Sequence, residues 1–329
     1  MIKLGIRDEQ QFARFYDRGA LESRHISCRL LRLPVPADEE AVRRFEEISR
    51  LLLLPGGIFR TTYRGRFEDL DALTLARMPA AFAPSEPLTI YDWGASNALT
   101  SAEWATPLLR SYPHLRFVAS DINLHLIEAA QSSGGSFIFE QGGALIQYLR
   151  GPFVIPYLWK DSPRYPVNRL LRWYGEGQAR NIPLAHLPAG WLQQTGSADV
   201  TLAGWTFRQI SLLHPAAQAL AARDPRFQVI RHSIFDAAAE PGHLVRTMNI
   251  LNQQYFSPER LLAGIAAVYS SLREGGWWIV GRTTGTTDEG PQRKNNATIL
   301  RKTGDRFVIL ERLGEGSEVE ALGLGFRHP

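Results

Sequence analysis

The sequence contains a single cysteine, and it lacks long apolar runs. Cys28 is the only cysteine among the 329 residues, which excludes an intramolecular disulfide and a thiolate metal site, so we expect a buried apolar thiol and no bound metal. No apolar run approaches the ~18 residues that span a bilayer, and the first residues, MIKLGIRDEQQF, are too polar for a signal peptide. These absences predict a cytoplasmic protein with no membrane partner.

Dense blocks of basic residues are also missing. The formal net charge is +4, but acidic and basic residues alternate along the chain, so nucleic acid is not an expected partner. The hydrophobic fraction of 44% is ordinary for a packed core. A chain of this length can form one large α/β domain with additions, or two domains.

A strand, a small-residue turn, a helix and a second strand follow one another between residues 88 and 121. The β-prone run 88–91 is followed by the turn DWGAS, and 101–109 has the pattern of a helix. A second β-prone run, 115–119, leads to Asp121. This order predicts a right-handed βαβ unit with an acid closing its second strand.

The turn and the acid suit an adenosine cofactor. Gly94 lets the backbone come close to a ligand, and the helix amino terminus after Ser96 offers N–H groups. Asp121 stands where an acid accepts hydrogen bonds from two ribose hydroxyls.

Residues 1–86 precede this unit and have a different sequence pattern. Helical patterns cover 7–18 and 38–54, a β-like run covers 25–33, and the glycines at 56–57 end the second helix. We interpret this region as an amino-terminal cap that contributes a subunit contact or part of a substrate wall. Simple packing against the sheet is an equal alternative.

A long segment separates the second strand from the third. We predict a short helix over 123–131, ended at 132–135, and a β-hairpin around Gly142 and Gly143. Large aromatic residues are then frequent between 151 and 214. The inserted part, 135–214, is either a lid or substrate subdomain over a cofactor crevice or a region with its own small core.

The remaining chain predicts a mostly parallel sheet that ends in an antiparallel hairpin. The expected strands are 227–230, 233–236, 244–251 and 277–281, the expected helices are 215–223 and 258–272, and the expected hairpin is 297–302 with 306–311. We expect Gly275 and Gly276 to end the second of these helices. The predicted class is therefore α/β, with residues 87–329 as the main domain.

This order resembles the class I S-adenosylmethionine-dependent methyltransferase superfamily and its Rossmann-like sheet. The shared features are a glycine loop after strand one, acids after strands two and three, and a terminal hairpin, over roughly 88–312. Within that superfamily the segment 249–283 is similar to the chemotaxis-receptor methyltransferases. It carries an Asn-hydrophobic-Leu run at 249–251, a Tyr-Phe pair at 255–256 and a Leu-x-x-Gly-Gly turn at 272–276.

Two features depart from the family pattern. The second and third glycines of the loop are replaced by Ser96 and Ala98, and Asn252, Gln253 and Gln254 lengthen the link to the Tyr-Phe pair. Small residues still permit a close approach of the loop to a ligand.

The resemblance implies a role for each strand-end residue. Asp92, Gly94 and Ser96 would border the methionine part of S-adenosyl-L-methionine, and Asp121 with Ile122 the ribose. Asp236 and Phe235 would border the adenine, and Asn249 the methionyl end or the acceptor. Capping of the following helix or turn is the alternative role for Asp92 and Asp236.

Candidates for catalysis and acceptor binding follow the same strands. His214, His232 and Tyr255 could each take a proton from a hydroxyl or amine acceptor. Arg246 and Arg282, with Tyr255, could hold an acidic acceptor. Structural roles for the histidines and surface ion pairs for the arginines are the alternatives.

The predicted function is transfer of a methyl group to an oxygen or nitrogen of a small molecule or a protein side chain. Two alternatives stay open, an NAD(P)-dependent oxidoreductase and a methyltransferase-like binding protein without catalysis. A glycine turn followed by an acid after the second strand fits all three. A homodimer is left open as well.

Overall fold

The computed structural model describes residues 4–33, 37–55, 58–59, 62–131, 135–158, 165–194, 196–285 and 294–328. The helices are α1 (Glu9–Tyr16), α2 (Glu39–Leu51), α3 (Glu68–Arg77), α4 (Leu99–Ser111), α5 (Pro166–Ala179), α6 (Ala189–Gln193), α7 (Pro215–Arg223), α8 (Pro258–Ser270) and α9 (Glu320–Gly325).

The strands in chain order are β1 (Gly5–Ile6), β2 (His25–Ile26), β3 (Leu53–Leu54), β4 (Ile58–Phe59), β5 (Leu88–Trp93), β6 (Leu115–Asp121), β7 (His125–Ala130), β8 (Gly135–Phe139), β9 (Leu145–Arg150), β10 (Phe153–Pro156), β11 (Val200–Leu202), β12 (Trp205–Ser211), β13 (Phe227–Arg231), β14 (Gly242–Met248), β15 (Leu272–Thr284), β16 (Lys294–Thr303) and β17 (Arg306–Leu313).

The chain divides into two compact units, each made of two segments. We call residues 1–61 with 123–215 the first unit, and residues 62–122 with 216–329 the second unit. The dividing points therefore differ from the predicted boundaries at 86 and at 135–214. The amino-terminal residues share a unit with the insertion because their apolar side chains pack on the insertion's own sheet, as described below.

The second unit contains the predicted α/β sheet. Its seven strands are ordered β13-β6-β5-β14-β15-β16-β17. The pairs from β13 to β15 are parallel, and β16 and β17 add an antiparallel hairpin to the edge. The predicted α/β class, with a mostly parallel sheet and a closing hairpin, is confirmed.

A continuous apolar core lies between this sheet and α8. The buried side chains of Val245 and Trp278 pack with Leu261, Ile265 and Val268, which recur at helical spacing. The indole N–H of Trp278 donates to the hydroxyl of Thr247 at 2.8 Å, so this large core side chain has a partner for its polar atom.

The first unit is built on a six-stranded antiparallel sheet ordered β10-β9-β8-β7-β12-β11. The predicted hairpin is confirmed as β8 and β9. On one face, Leu126 and Ile138 pack with Phe45 and Ile48 of α2, and on the other face, Phe137 packs with a set of aromatics. That set, Tyr148, Trp191, Trp205 and Phe207, forms the small core that was one of the two interpretations of the insertion. Its role as a lid stays a prediction.

Several local predictions were wrong. The predicted helix at 123–131 is replaced by β7, because β8 and β12 pair with this strand on both sides. The run 25–33 forms only the short β2, followed by a 3₁₀ turn at Cys28–Leu31. Residues 233–236 form a turn and not a strand, and Gly275 and Gly276 lie inside β15.

Four helices, α3, α5, α6 and α9, were not predicted at all. The glycines expected to end a helix at 56–57, and most of the stop at 132–135, lie outside the described residues. None of the described helices is both long and apolar enough to cross a bilayer.

Gly281 provides a test of the strand packing. A Cβ at this position would lie 2.2 Å from the carbonyl oxygen of Asn296 and 2.6 Å from the Cα of Ala297 on β16. Because these are backbone atoms of a paired strand, we expect Gly281→Ala to lower the free energy of unfolding by about 1–3 kcal/mol, measured by urea denaturation.

Gly325→Ala is the matched control, since nothing lies within 4 Å of the added carbon there. A loss below about 0.5 kcal/mol for Gly281→Ala, the scale of uninvolved surface positions, would contradict the close approach of β15 and β16.

Candidate functional site

The order of the parallel strands reverses between β5 and β14. The chain passes from β5 to β6 and then β13 on one side, whereas β14 and β15 lie on the other side. These strands are parallel, so their carboxyl ends share one edge of the sheet. In open α/β sheets, a crevice for ligands forms at such a reversal. The loops that follow β5 and β14 are therefore the first candidates for a site.

The loop after β5 has three left-handed residues at alternate positions. The φ angles of Gly94, Ser96 and Ala98 are 70°, 57° and 59°. This conformation costs an L-residue roughly 1–2 kcal/mol relative to a right-handed one. Ser96 and Ala98 therefore keep the backbone that glycine adopts readily. Steric strain of this kind concentrates at functional sites.

The chain after β14 approaches this loop closely. A Cβ on Gly94 would lie 2.9 Å from the Cβ of Ile250, so only glycine fits at that position. The residue before Ile250 is Asn249, whose φ is 60°. Among the described residues, four other than glycine have positive φ, and three of these lie in the loops after β5 and β14. Backbone strain is therefore concentrated where the strand order reverses.

Asp121 connects this loop to the neighbouring strands. Its Oδ2 accepts a hydrogen bond from the backbone N–H of Ser96 at 2.9 Å. Its backbone carbonyl accepts from the N–H of His232 at 3.1 Å. A carboxylate has about four acceptor positions, so this side chain can serve backbone and hydroxyl donors together. The adjacent Ile122 is half-exposed, at 51%.

His232 follows β13 and lies against the indole of Trp93, with 4.8 Å between the ring centroids. Burial lowers the pKa of His232, and the charge of Asp236 only partly opposes this, so the imidazole is neutral near pH 7. Within the described part of the chain, its buried Nε2 has no hydrogen-bond partner, and neither does the hydroxyl of Ser96. Buried polar atoms without partners are rare and costly, so either water or a polar ligand would satisfy these two atoms.

The two predicted adenine-binding residues lie in the turn after β13. The ring of Phe235 packs edge-on against Phe256, at 5.1 Å between centroids, and the guanidinium of Arg260 lies 3.9 Å from its centre. Asp236 is exposed, and its N–H donates to the carbonyl of Ser233 at 3.0 Å. No helix begins after Asp236, so helix capping does not apply to it.

Asn249 joins the ends of β14 and β15. Its Oδ1 accepts from the N–H of Thr283 at 2.8 Å, and its own N–H donates to the carbonyl of Gly281 at 2.8 Å. The side chain is therefore held by the sheet edge, beside the left-handed loop. This fixes the position of the amide without assigning it a ligand.

Asp92 and Arg246 form a buried ion pair beneath the edge. The two residues are direct neighbours in the β5–β14 register. The Arg246 Nε and Nη2 donate to Asp92 at 2.9 and 2.5 Å, and Nη1 donates to Asp71 at 2.7 Å. Ser101 donates to Asp92 as well, at 2.6 Å, and the guanidinium lies over the ring of Trp104.

This ion pair requires two corrections to the predicted roles. Arg246 is 1% exposed, and two aspartates already accept from its guanidinium, so the geometry does not favour binding of an acidic acceptor. Asp92 is 3% exposed and supports the strand pair from inside. It does not cap α4, whose first position has no side-chain cap.

The described contacts of three other candidates are with residues other than the loop, Asp121 and His232. His214 lies in the first unit, fully buried, with its Nε2 3.0 Å from the Glu46 carboxylate. Tyr255 is 46% exposed, its backbone N–H donates to the side chain of Asn252, and its ring lies edge-on to that of Phe256. Arg282 is paired with Glu318 at 2.8 Å.

Asp71, Trp93 and Thr283 were missed by the sequence reasoning. Asp71 lies among the acids of the first turn of α3, where acids commonly stabilise a helix. Its partner Arg246 is 175 positions away in the sequence, so local pattern offers no signal for the contact. Trp93 could have been found as the last residue of the strand before Gly94.

Comparison with known proteins gives a coarse result. No family model and no curated protein matches the sequence. Among solved structures, the chain is similar to an O-methyltransferase of neocarzinostatin biosynthesis, crystallised with S-adenosyl-L-homocysteine and 1,4-dihydroxy-2-naphthoic acid. The identity is 11% and the TM-score 0.24, over 65% of this chain and 40% of that one. The match thus spans less than half of that enzyme.

A second similar structure is an amino pentose methyltransferase of calicheamicin biosynthesis from Micromonospora echinaspora, bound to S-adenosylmethionine. The identity is 12% and the TM-score 0.30, over 78% of this chain and 81% of that one. At these TM-scores the likenesses establish neither a common family nor a common activity. Neither structure is described as a chemotaxis-receptor methyltransferase, so that closer resemblance finds no support here.

The buried ion pair predicts how stability depends on pH. Burial raises the pKa of Asp71 to about 7, although Arg246 opposes the shift, while Asp92, Glu103 and Asp69 add to it. A folded-state pKa above the unfolded value means that the folded state binds more protons between about pH 4 and 7. The contribution of Asp71 is then greatest at low pH and is lost as pH rises through 7.

We therefore expect the free energy of unfolding of the wild type, relative to Asp71→Asn, to fall as pH rises from about 4 to 7. Urea denaturation at several pH values measures this difference. A difference that stays constant, or that grows with pH, would show that the Asp71 carboxyl ionises normally in the folded protein.

Proposed function

We propose that this protein is an S-adenosyl-L-methionine-dependent methyltransferase that acts on an oxygen or nitrogen of its acceptor. The observation that carries the proposal is the left-handed loop 94–98, bonded through Ser96 to Asp121, where the strand order reverses. A nucleoside with two ribose hydroxyls requires a loop whose backbone can approach it closely and an acid after the second strand.

The residues at this edge fit the cofactor. Gly94 lets Ile250 pack directly against the loop, and the methionine part would lie against the backbone of this loop. Asp121 would accept from the ribose hydroxyls. His232 Nε2, which is buried without a described partner, would meet a polar group of the ligand, and the turn carrying Phe235 and Asp236 would border the adenine.

When bound, the cofactor supplies a methyl group on a positively charged sulfur. The contribution of the protein to such a transfer is mainly orientation, because the acceptor must approach the methyl in line. Loops held by Asp121 and by the Asn249–Thr283 bonds are suited to this, since neither can shift without losing hydrogen bonds. The carboxylates at the edge would also stabilise the positive charge.

Of the three predicted bases, His232 is the one best suited to accept a proton. It is neutral near pH 7 because burial lowers its pKa, and it is hydrogen-bonded through its backbone to Asp121. It could take the proton that an O–H or N–H acceptor releases. Methyl-transfer assays with small-molecule and with protein acceptors distinguish the two acceptor classes.

Removal of the acid tests the proposal directly. We expect Asp121→Ala to weaken S-adenosyl-L-homocysteine binding at least about tenfold, since a charge-assisted hydrogen bond contributes ~1.5–3 kcal/mol. Isothermal titration calorimetry measures the affinity, and circular dichroism checks the fold. Asp305→Ala, at an exposed position, is the control.

The same titrations separate the alternative functions. Binding of NADPH without binding of S-adenosyl-L-homocysteine would favour an oxidoreductase and overturn the proposal. A chain that binds S-adenosyl-L-homocysteine but transfers no methyl group to the small-molecule and protein acceptors tested would be a binding protein without catalysis.

A second experiment tests the loop. Gly94→Ala places a Cβ against Ile250 at φ +70°, and we expect a loss of S-adenosyl-L-homocysteine affinity of about tenfold or more. Ala98→Gly keeps the loop conformation and removes its strain, so affinity is expected to stay within about threefold of the wild type. If the wild type and Gly94→Ala bind S-adenosyl-L-homocysteine with equal affinity, the loop does not take part in binding this ligand.

A further inference from the structure

Helix α5 of the first unit exposes an apolar face. Of the ten large apolar residues that are exposed in the described chain, four lie on this helix: Val167, Leu170, Trp173 and Tyr174. Trp173 is 72% exposed and Leu170 is 64% exposed. Their spacing at i, i+3, i+6 and i+7 places them on one side of the helix.

The opposite side of α5 is already used. Asn168 and Gly175 are buried, and the helix contacts β9 and β10 of the antiparallel sheet. The exposed face is therefore not a core face that lacks packing. Grouped apolar side chains that remain in water mark a surface that another body covers.

Arginines surround this face. Arg169 and Arg180 are exposed on the same helix or at its end, and the guanidinium of Arg150 lies 5.0 Å from the ring centre of Tyr174. Among the described residues, none of these three forms an ion pair, whereas Arg172 is paired with Glu176. The exposed fringe is thus positively charged around an apolar centre.

We propose that the α5 face binds the surface of an anionic lipid bilayer. Exposed Trp and Leu side chains enter the boundary between headgroups and acyl chains, and arginines beside them meet anionic headgroups. A second copy of this chain fits less well, because a symmetric contact would place the same arginines against each other. The helix would lie on the surface, since it is too short to span the bilayer.

The experiment is co-sedimentation of the full chain with vesicles. Phosphatidylcholine vesicles are compared with vesicles that also contain phosphatidylglycerol. We expect partitioning into the anionic vesicles to be at least about tenfold stronger, since each arginine near the surface adds a favourable contribution, and to weaken as salt is added.

Variants identify the surface responsible. Leu170→Ala with Trp173→Ala is expected to reduce partitioning about tenfold or more, because two large apolar side chains no longer insert. Arg169→Glu is expected to reduce it about fivefold or more. Leu262→Ala, at a 40% exposed position of α8, is the matched control and should bind like the wild type.

Three results would overturn the proposal. The wild type could stay in the supernatant with both kinds of vesicle, or the double variant could bind as strongly as the wild type. Sedimentation equilibrium without lipid could also reveal a dimer that the double variant converts to a monomer. That last result would assign the face to a contact between copies of the chain.

Discussion

The ion pair between Arg246 and Asp92 is the interaction on which the parallel sheet of the second unit depends. It joins β5 to β14 where the strand order reverses. Burial of each charge costs several kcal/mol, and only good geometry with further hydrogen bonds offsets that cost. Here the guanidinium donates twice to Asp92 and once to Asp71, and Ser101 donates to the same carboxylate. Strands and helices from four parts of the chain are thereby fixed under one edge.

The ion pair holds the strand ends in place, and this explains how the loop at 94–98 keeps a strained backbone. Left-handed serine and alanine persist only where their surroundings leave no relaxed alternative. Ser96 is held by Asp121, and the N–H of Ala98 donates to the carbonyl of Ala95 at 2.8 Å. The side chain of Asn97 accepts from the N–H of Leu99 at 3.1 Å, at the start of α4. The strain is thus offset locally, while the ion pair keeps the two strands in register.

The sequence predicted those parts of the fold that depend on neighbouring residues. The helix at 215–223 and the βαβ unit at 88–121 carry their own periodicity and turn residues. Residues 123–131 were mistaken for a helix because β7 is buried on both faces, and such a strand loses the alternation that identifies it. Gly275 and Gly276 were mistaken for a helix stop because glycine inside a strand has the same local appearance.

Two aspartates of the candidate site show that sequence alone does not predict contacts between distant residues. They occupy equivalent positions in the sequence. Asp92 and Asp121 both lie at the carboxyl ends of neighbouring parallel strands. Asp92 is in register with Arg246 and is buried by it, whereas Asp121 remains at the edge, bonded to a backbone N–H. Residue type and strand position could not separate the two, because the difference is made by the side chain opposite. An acid at a strand end is therefore a ligand candidate only once its cross-strand neighbour is known.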